Sequence, residues 1–154
     1  MIDQAHIVAF LVTLVTSIGA VMMHYESFIV FGRLVGKSSV SHRRRMLVMV
    51  FGLLIVHIIA IWGYGISAWW LVAGGWWLVE KNNVGYLTGY ETFSFLDYIF
   101  MSAVTYTTVG YGDIVPMGPI RFLYGTQALV GFVLITWSAS FAFIEMQRNW
   151  NRPD

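Results

Sequence analysis

Thr107-Thr108-Val109-Gly110-Tyr111-Gly112-Asp113 is the stretch on which the reading of this chain turns. Gly110 and Gly112 stand at alternate positions and permit backbone conformations closed to residues with a Cβ. Consecutive carbonyls are then free to face one axis, with the side chains of Val109 and Tyr111 packed behind them. Rings of such carbonyls, contributed by copies of one loop, replace the water shell of a dehydrated cation. The Thr108 hydroxyl adds the innermost ligand, and Asp113 stands where its carboxylate holds the outer mouth through hydrogen bonds. The tripeptide Gly-Tyr-Gly alone is a weak signal, since Gly63-Tyr64-Gly65 repeats it elsewhere in the chain. The setting of residues 107–113 decides its meaning.

Of the 154 residues, 58% are hydrophobic and only 11% charged, whereas an ordinary soluble domain is about 25% charged. That imbalance points to a bilayer. Three stretches are long and apolar enough to cross a hydrocarbon core that needs roughly 20 helical residues. The first runs from about Ile7 to Met23 and on past His24, Tyr25 and Glu26, either as one long helix or as a short span followed by an interfacial segment from Ser27 to Val35. The second runs from Met46 to about Leu71, and the third from about Ile120 to Ile144. The fold class is an all-α membrane protein. No basic residue precedes the first apolar run, so it reads as a retained helix rather than a secretory signal. The absence of cysteine excludes disulfides, thiolate metal sites and cysteine nucleophiles. A net charge of +1 gives no bias toward nucleic acid.

The placement of charge gives a topology. Arg33, Lys37, His42, Arg43, Arg44 and Arg45 fill the first connection without an acidic residue, which makes it cytoplasmic; Gln147, Arg148 and Arg152 follow the third span, and the two arginines place the C-terminus on the same side. Three spans then require an external N-terminus. Trp69, Trp70, Trp76 and Trp77 suit the headgroup level at the far face, and Glu80 to Glu91 reads as an external loop. Between the second and third spans, Phe93 to Ile114 is too short to cross and return as two full helices. It reads as re-entrant: a pore helix from about Ser94 to Thr105, then an extended loop. Irregular backbone at membrane depth is tolerated only where protein surrounds it or it lines a water-filled cavity, and the negative end of the short helix favours a cation there. The expected division is residues 1–45 as first helix and basic loop, 46–146 as pore domain and 147–154 as cytoplasmic tail.

With that setting in place, Thr105-Tyr106-Thr107-Thr108-Val109-Gly110-Tyr111-Gly112-Asp113-Ile114-Val115-Pro116 resembles the signature of the potassium channel family, and the similarity covers about residues 93–146. The resemblance implies a fourfold assembly of outer helix, pore helix, selectivity filter and inner helix, so three further copies of the chain are its partners. It implies potassium ions held at Thr108, Val109, Gly110 and Tyr111, with Gly112 completing the filter, and passive conduction across the plasma membrane with no cofactor and no enzyme chemistry. Filter support is assigned to Thr107, Asp113, Phe100 and Val104. Val104 stands where many similar bacterial channels carry a glutamate, so a glutamate-to-aspartate link behind the filter is absent. Phe100 and Met101 replace tryptophans often found on the pore helix. Gly131 lies ten residues after Arg121, the spacing of a hinge glycine in similar inner helices; close helix packing is the other reading of a small residue there.

Voltage sensing would need regularly spaced arginines inside a span, and none is present. Arg43, Arg44 and Arg45 form a block at a helix start, a topology signal or a contact with anionic lipid. His24, Glu26 and His57 are pH-sensing candidates, because ionisable groups within spans are costly and often functional. The plainer reading puts His24 and Glu26 near the cytoplasmic interface and has His57 hydrogen-bond a neighbouring helix. Glu80, Glu91 and Asp97 either concentrate cations at the outer mouth or are solvated loop charges. Thr136, Ser138 and Ser140 line the cavity or bond back to their own helix. Two alternatives stand beside the potassium reading: a weakly selective cation channel, against which the intact Val109-Gly110-Tyr111-Gly112 argues, and a regulatory subunit that joins other pores without conducting alone.

Overall fold

In lipid a backbone must satisfy its own polar groups, so the apolar runs fold as helices. The computed structural model describes residues 3–37, 42–73 and 84–150, with side chains over 3–33, 44–73 and 84–148. Trp76, Trp77, Glu80 and Arg152 lie outside the described residues, as do the side chains of Lys37, His42 and Arg43. The elements are α1 (Gln4–Lys37), α2 (His42–Ala73), β1 (Tyr86–Thr88), α3 (Phe95–Tyr106), β2 (Val115–Met117) and α4 (Arg121–Trp150). The three long helices are each apolar and long enough to cross a membrane.

Of the two readings of the first span, the single long helix is the one observed. α1 has 34 residues, about 50 Å at 1.5 Å per residue. Arg44 and Arg45, expected in the connecting loop, belong instead to the first turns of α2. α4 runs past Ile144 and takes in Gln147 and Arg148, which the sequence reading placed in a tail. The Glu145–Arg148 pair at 3.1 Å spans one helical turn, and a cation near the C-terminal carbonyls favours continued helix.

α1 lies against both α2 and α4. His6 meets Phe122 and Phe28 meets Trp137 and Phe141, so α1 runs parallel to α4. Ser17 bonds Tyr64 at 2.8 Å and Thr16 bonds Ser67 at 3.0 Å, so it runs antiparallel to α2. Phe28 stacks on Phe141 with ring centroids 4.8 Å apart and meets Trp137 edge-on at 4.9 Å, which ties α1 to the C-terminal half of α4. Tyr64, Tyr106, Ile120, Leu123 and Leu134 are buried where the helices converge, whereas Phe10, Val15, Val48, Phe51 and Leu129 are exposed. An apolar exterior of this kind belongs to a protein whose solvent is hydrocarbon.

Two short strands add a feature the sequence reading did not contain. β1 pairs antiparallel with β2, Tyr86 opposite Met117 and Thr88 opposite Val115, and the Ile120 N–H donates to the Val84 carbonyl at 2.8 Å. The ribbon ties the segment before α3 to the segment that returns from it. Pro116, which has no N–H to give a ladder, is tolerated because the ribbon has only edges.

Candidate functional site

α3 begins at a built cap. Asp97 Oδ2 accepts the Ser94 N–H at 2.6 Å and the Ser94 hydroxyl at 2.8 Å, so this carboxylate is engaged at a helix start, where negative charge is favoured. From there α3 descends antiparallel to α2. Phe95 meets Trp69 and Trp62 edge-on, the Ser102 hydroxyl donates to the Ile61 carbonyl at 2.7 Å, and Tyr106 reaches His57. His57 is close to the midpoint of α2, so α3 goes halfway along the span and stops. On its other side, Gln127 of α4 donates through Nε2 to the Ser102 carbonyl at 3.0 Å and the Ser102 hydroxyl at 2.6 Å.

At the bottom of this descent the chain turns back. Ala103 accepts both the N–H and the hydroxyl of Thr107, at 3.1 and 2.8 Å. The Thr108 N–H donates to the Thr105 carbonyl and the Gly110 N–H to the Val104 carbonyl, which pins the start of the loop onto the end of α3. Val104, read as a support residue, is buried and supplies that carbonyl. Positive φ values occur at Thr108 (59°), Gly110 (53°) and Gly112 (83°), and not at Val109 or Tyr111 between them. Two of the three fall on the residues suited to it; Thr108 holds a left-handed conformation that is uncommon for a residue with a Cβ. Residues 107–113 are all exposed in the single chain, Tyr111 to 71% and Val109 to 54%.

Supports of the loop are visible at both ends. Phe100 stacks against Tyr111, with centroids 6.3 Å apart and planes 7° from parallel, so an aromatic partner is retained where tryptophan is missing. Asp113 Oδ2 accepts the Tyr90 hydroxyl at 3.1 Å and Oδ1 accepts the Ile114 N–H at 3.1 Å. Its partner therefore comes from the β1–α3 connection rather than from behind the loop. The hydrogen bond to Asp113 and then its negative charge raise the Tyr90 phenol above its ordinary value, which keeps the hydroxyl a donor.

The remaining sequence candidates divide. Gly131 sits where α4 crosses the end of α3: a Cβ there would overlap the Tyr106 carbonyl, and α4 continues unbroken through it. His24 and His57 are brought together at 3.1 Å, but Glu26 is exposed and does not join them. Arg44 is exposed and Arg45 half-buried. Thr136 donates to the Phe132 and Val133 carbonyls and Ser140 to that of Thr136, the back-bonding alternative, whereas the buried Ser138 hydroxyl has no partner among the described residues. Tyr106, Ser102, Gln127 and Tyr90 were not singled out from sequence. A glutamine inside an apolar span and a tyrosine among the threonines of residues 105–108 were the available signals, since buried polar groups require partners.

Three spanning helices with a helix and loop dipping between the second and third are the frame of a pore-forming membrane protein. A sequence model of the family described as "Ion channel" matches residues 44–148, more than half of the chain, and the chain belongs to that family. An ion channel subunit is a conduit and not an enzyme. The match begins at Arg44, so α1 lies outside it. No curated protein and no solved structure matches the chain.

Proposed function

We propose that four copies of this chain form a potassium-selective channel. The observation that carries the reading is the alternation of positive φ at Thr108, Gly110 and Gly112 with ordinary backbone at Val109 and Tyr111, in a loop at the mid-membrane end of a re-entrant helix. Alternating hand along a chain turns successive peptide groups to one side, which makes a concavity of like dipoles. With four loops about one axis, the carbonyls of Thr108, Val109, Gly110 and Tyr111, with Gly112 above, form the rings that take the place of potassium's water. Thr107, Val104, Phe100 and Asp113 hold that loop, and Gly131 is the proposed point of flexure of the inner helix. The exposure of Val109 and Tyr111 in the single chain supports this assembly, because neighbouring copies cover them.

In this reading residues 46–146 are the pore domain and 1–45 an added helix with its basic connection. The positive-inside rule sets the N-terminus outside and residues 147–154 in the cytoplasm of the plasma membrane, with Arg43, Arg44 and Arg45 at the level of anionic lipid. Purified protein in liposomes loaded with potassium tests it. Flux driven by a potassium gradient, blocked by barium and lost in Gly110→Ala is expected. Equal sodium flux would replace the proposal with a nonselective pore, and silence across pH values and voltages would replace it with a regulatory subunit.

A further inference from the structure

Tyr106 is held from three sides. It ends α3, its carbonyl lies against Gly131 of α4, and its hydroxyl stands 2.9 Å from His57 Nδ1 on α2. His57 Nδ1 is also 3.1 Å from His24 Nε2 on α1, and His24 Nδ1 is 2.8 Å from the Ala20 carbonyl. His24 and Tyr106 are both fully buried. A run of polar atoms thus starts on the helix outside the family match and ends two residues before Thr108.

The proton positions follow from donor and acceptor chemistry. A carbonyl only accepts, so His24 Nδ1 carries a hydrogen and, in the neutral ring, its Nε2 is an acceptor. His57 Nδ1 is then the donor, and its single N–H is shared between His24 Nε2 and the Tyr106 oxygen. A proton added at His24 Nε2 removes that acceptor and sets two N–H groups against each other unless His57 gives up its own Nδ1 proton. In the first case the His57 N–H is left to the Tyr106 oxygen alone; in the second His57 Nδ1 becomes an acceptor and the Tyr106 hydroxyl must donate to it, so the bond that holds Tyr106 changes in both. A proton added at His57 Nε2 leaves the run intact, so His24 is the sensitive member.

Few other groups bear on the pair. From α3 there is Tyr106; from α2, Tyr64, whose hydroxyl is bonded to Ser17 at 2.8 Å. On the α4 side His24 meets Phe28, which is backed by Trp137 and Phe141. Glu26 is exposed, and Glu145 of α4 pairs with Arg148. No acid among the described residues acts on either ring.

We propose that His24 and His57 are positioning residues for the filter: α1 acts through them on Tyr106, and the proton on His24 sets how firmly the end of the pore helix is held. The proposal rests on residues 108–112 being the filter. It predicts that acidification changes potassium flux, and that the change requires both His24 and the Tyr106 hydroxyl.

The test compares full-length wild type, His24→Gln and Tyr106→Phe in liposomes from about pH 8 to about pH 4, the range across which histidine changes charge. Gln offers an amide oxygen as acceptor but does not titrate. The expected result is a change of about threefold or more in wild-type flux across that range and a flat profile in both variants. A His24→Gln profile that overlays the wild type would overturn the proposal while leaving selectivity intact. Failure of the filter reading is distinct: sodium and potassium would pass alike, or nothing would pass, in every variant. In that event ¹⁵N resonances of the imidazoles in lipid nanodiscs decide. The proposal requires protons on Nδ1 of both rings at alkaline pH and a shift of the His57 signals in Tyr106→Phe; a His24 proton on Nε2, or unmoved His57 signals, would overturn it.

Discussion

Gly131 has one neighbour that explains it, the Tyr106 carbonyl, which a Cβ would overlap. Gly125, earlier on the same helix, has nothing within 4 Å of where a Cβ would stand. The two glycines therefore respond oppositely to the same change. Gly131→Ala forces α4 and the end of α3 apart and costs about 1–3 kcal/mol, the usual penalty for overpacking. Gly125→Ala gains up to about 1 kcal/mol from helix propensity. Thermal unfolding of the detergent-solubilised protein reads both, with a lowered Tm expected only for Gly131→Ala. A pure hinge role would show the reverse, an unchanged Tm with altered flux. Sequence spacing singled out Gly131 but left hinge and packing open, because a backbone carbonyl from another element leaves no mark in the local sequence.

α3 is a short element that depends on its neighbours. Twelve residues form a helix that would be marginal alone, and the cap made by Asp97 holds only its first turn. Its middle is held by one hydroxyl: Ser102 donates to Ile61 of α2 and accepts from Gln127 of α4. Removing it leaves the Gln127 amide with only the Ser102 carbonyl. Ser102→Ala is expected to cost about 1 kcal/mol, the scale of hydrogen bonds within membranes. Ser102→Ala with Gln127→Leu should cost less than the sum of the two single changes, because each removes the same bond. Steric-trapping measurements of unfolding in bicelles supply the four corners of that cycle, and a coupling near zero would show that Ser102 does not bridge the helices. The bounds of α3, read from the sequence as about Ser94 to Thr105, lie within a residue of those observed. The β1–β2 ribbon was not legible, since three-residue strands have too few positions to display alternation.

At the scale of the whole molecule, the single chain leaves its loop uncovered. Tyr111 and Val109 are more than half exposed, and Gly110 and Gly112 have open space where a Cβ would stand. Neighbouring copies of the same surface are the occupants the proposed assembly requires. Native mass spectrometry in mild detergent is expected to give roughly four times the 17.5 kDa chain mass, as closed rotational symmetry about one axis demands. A chain that stays monomeric at every detergent concentration would exclude the fourfold pore. α1 adds to each copy a helix that packs on α2 and α4, stacked through Phe28 onto Trp137 and Phe141.

The sequence by itself determined three spans, a re-entrant segment and the glycines at 110 and 112, because length, hydropathy and backbone permission are local properties. It also singled out His24 and His57 as residues costly to bury. Tertiary structure alone decided how those costs are met. His24 and His57 lie 33 residues apart in sequence and 3.1 Å apart in space, and Tyr106 joins them only because α3 stops halfway along α2. Hydrogen bonds between side chains on different helices depend on the rotation and depth of each helix. Those are set by packing against neighbours, not by any repeat that a single strand of residues carries.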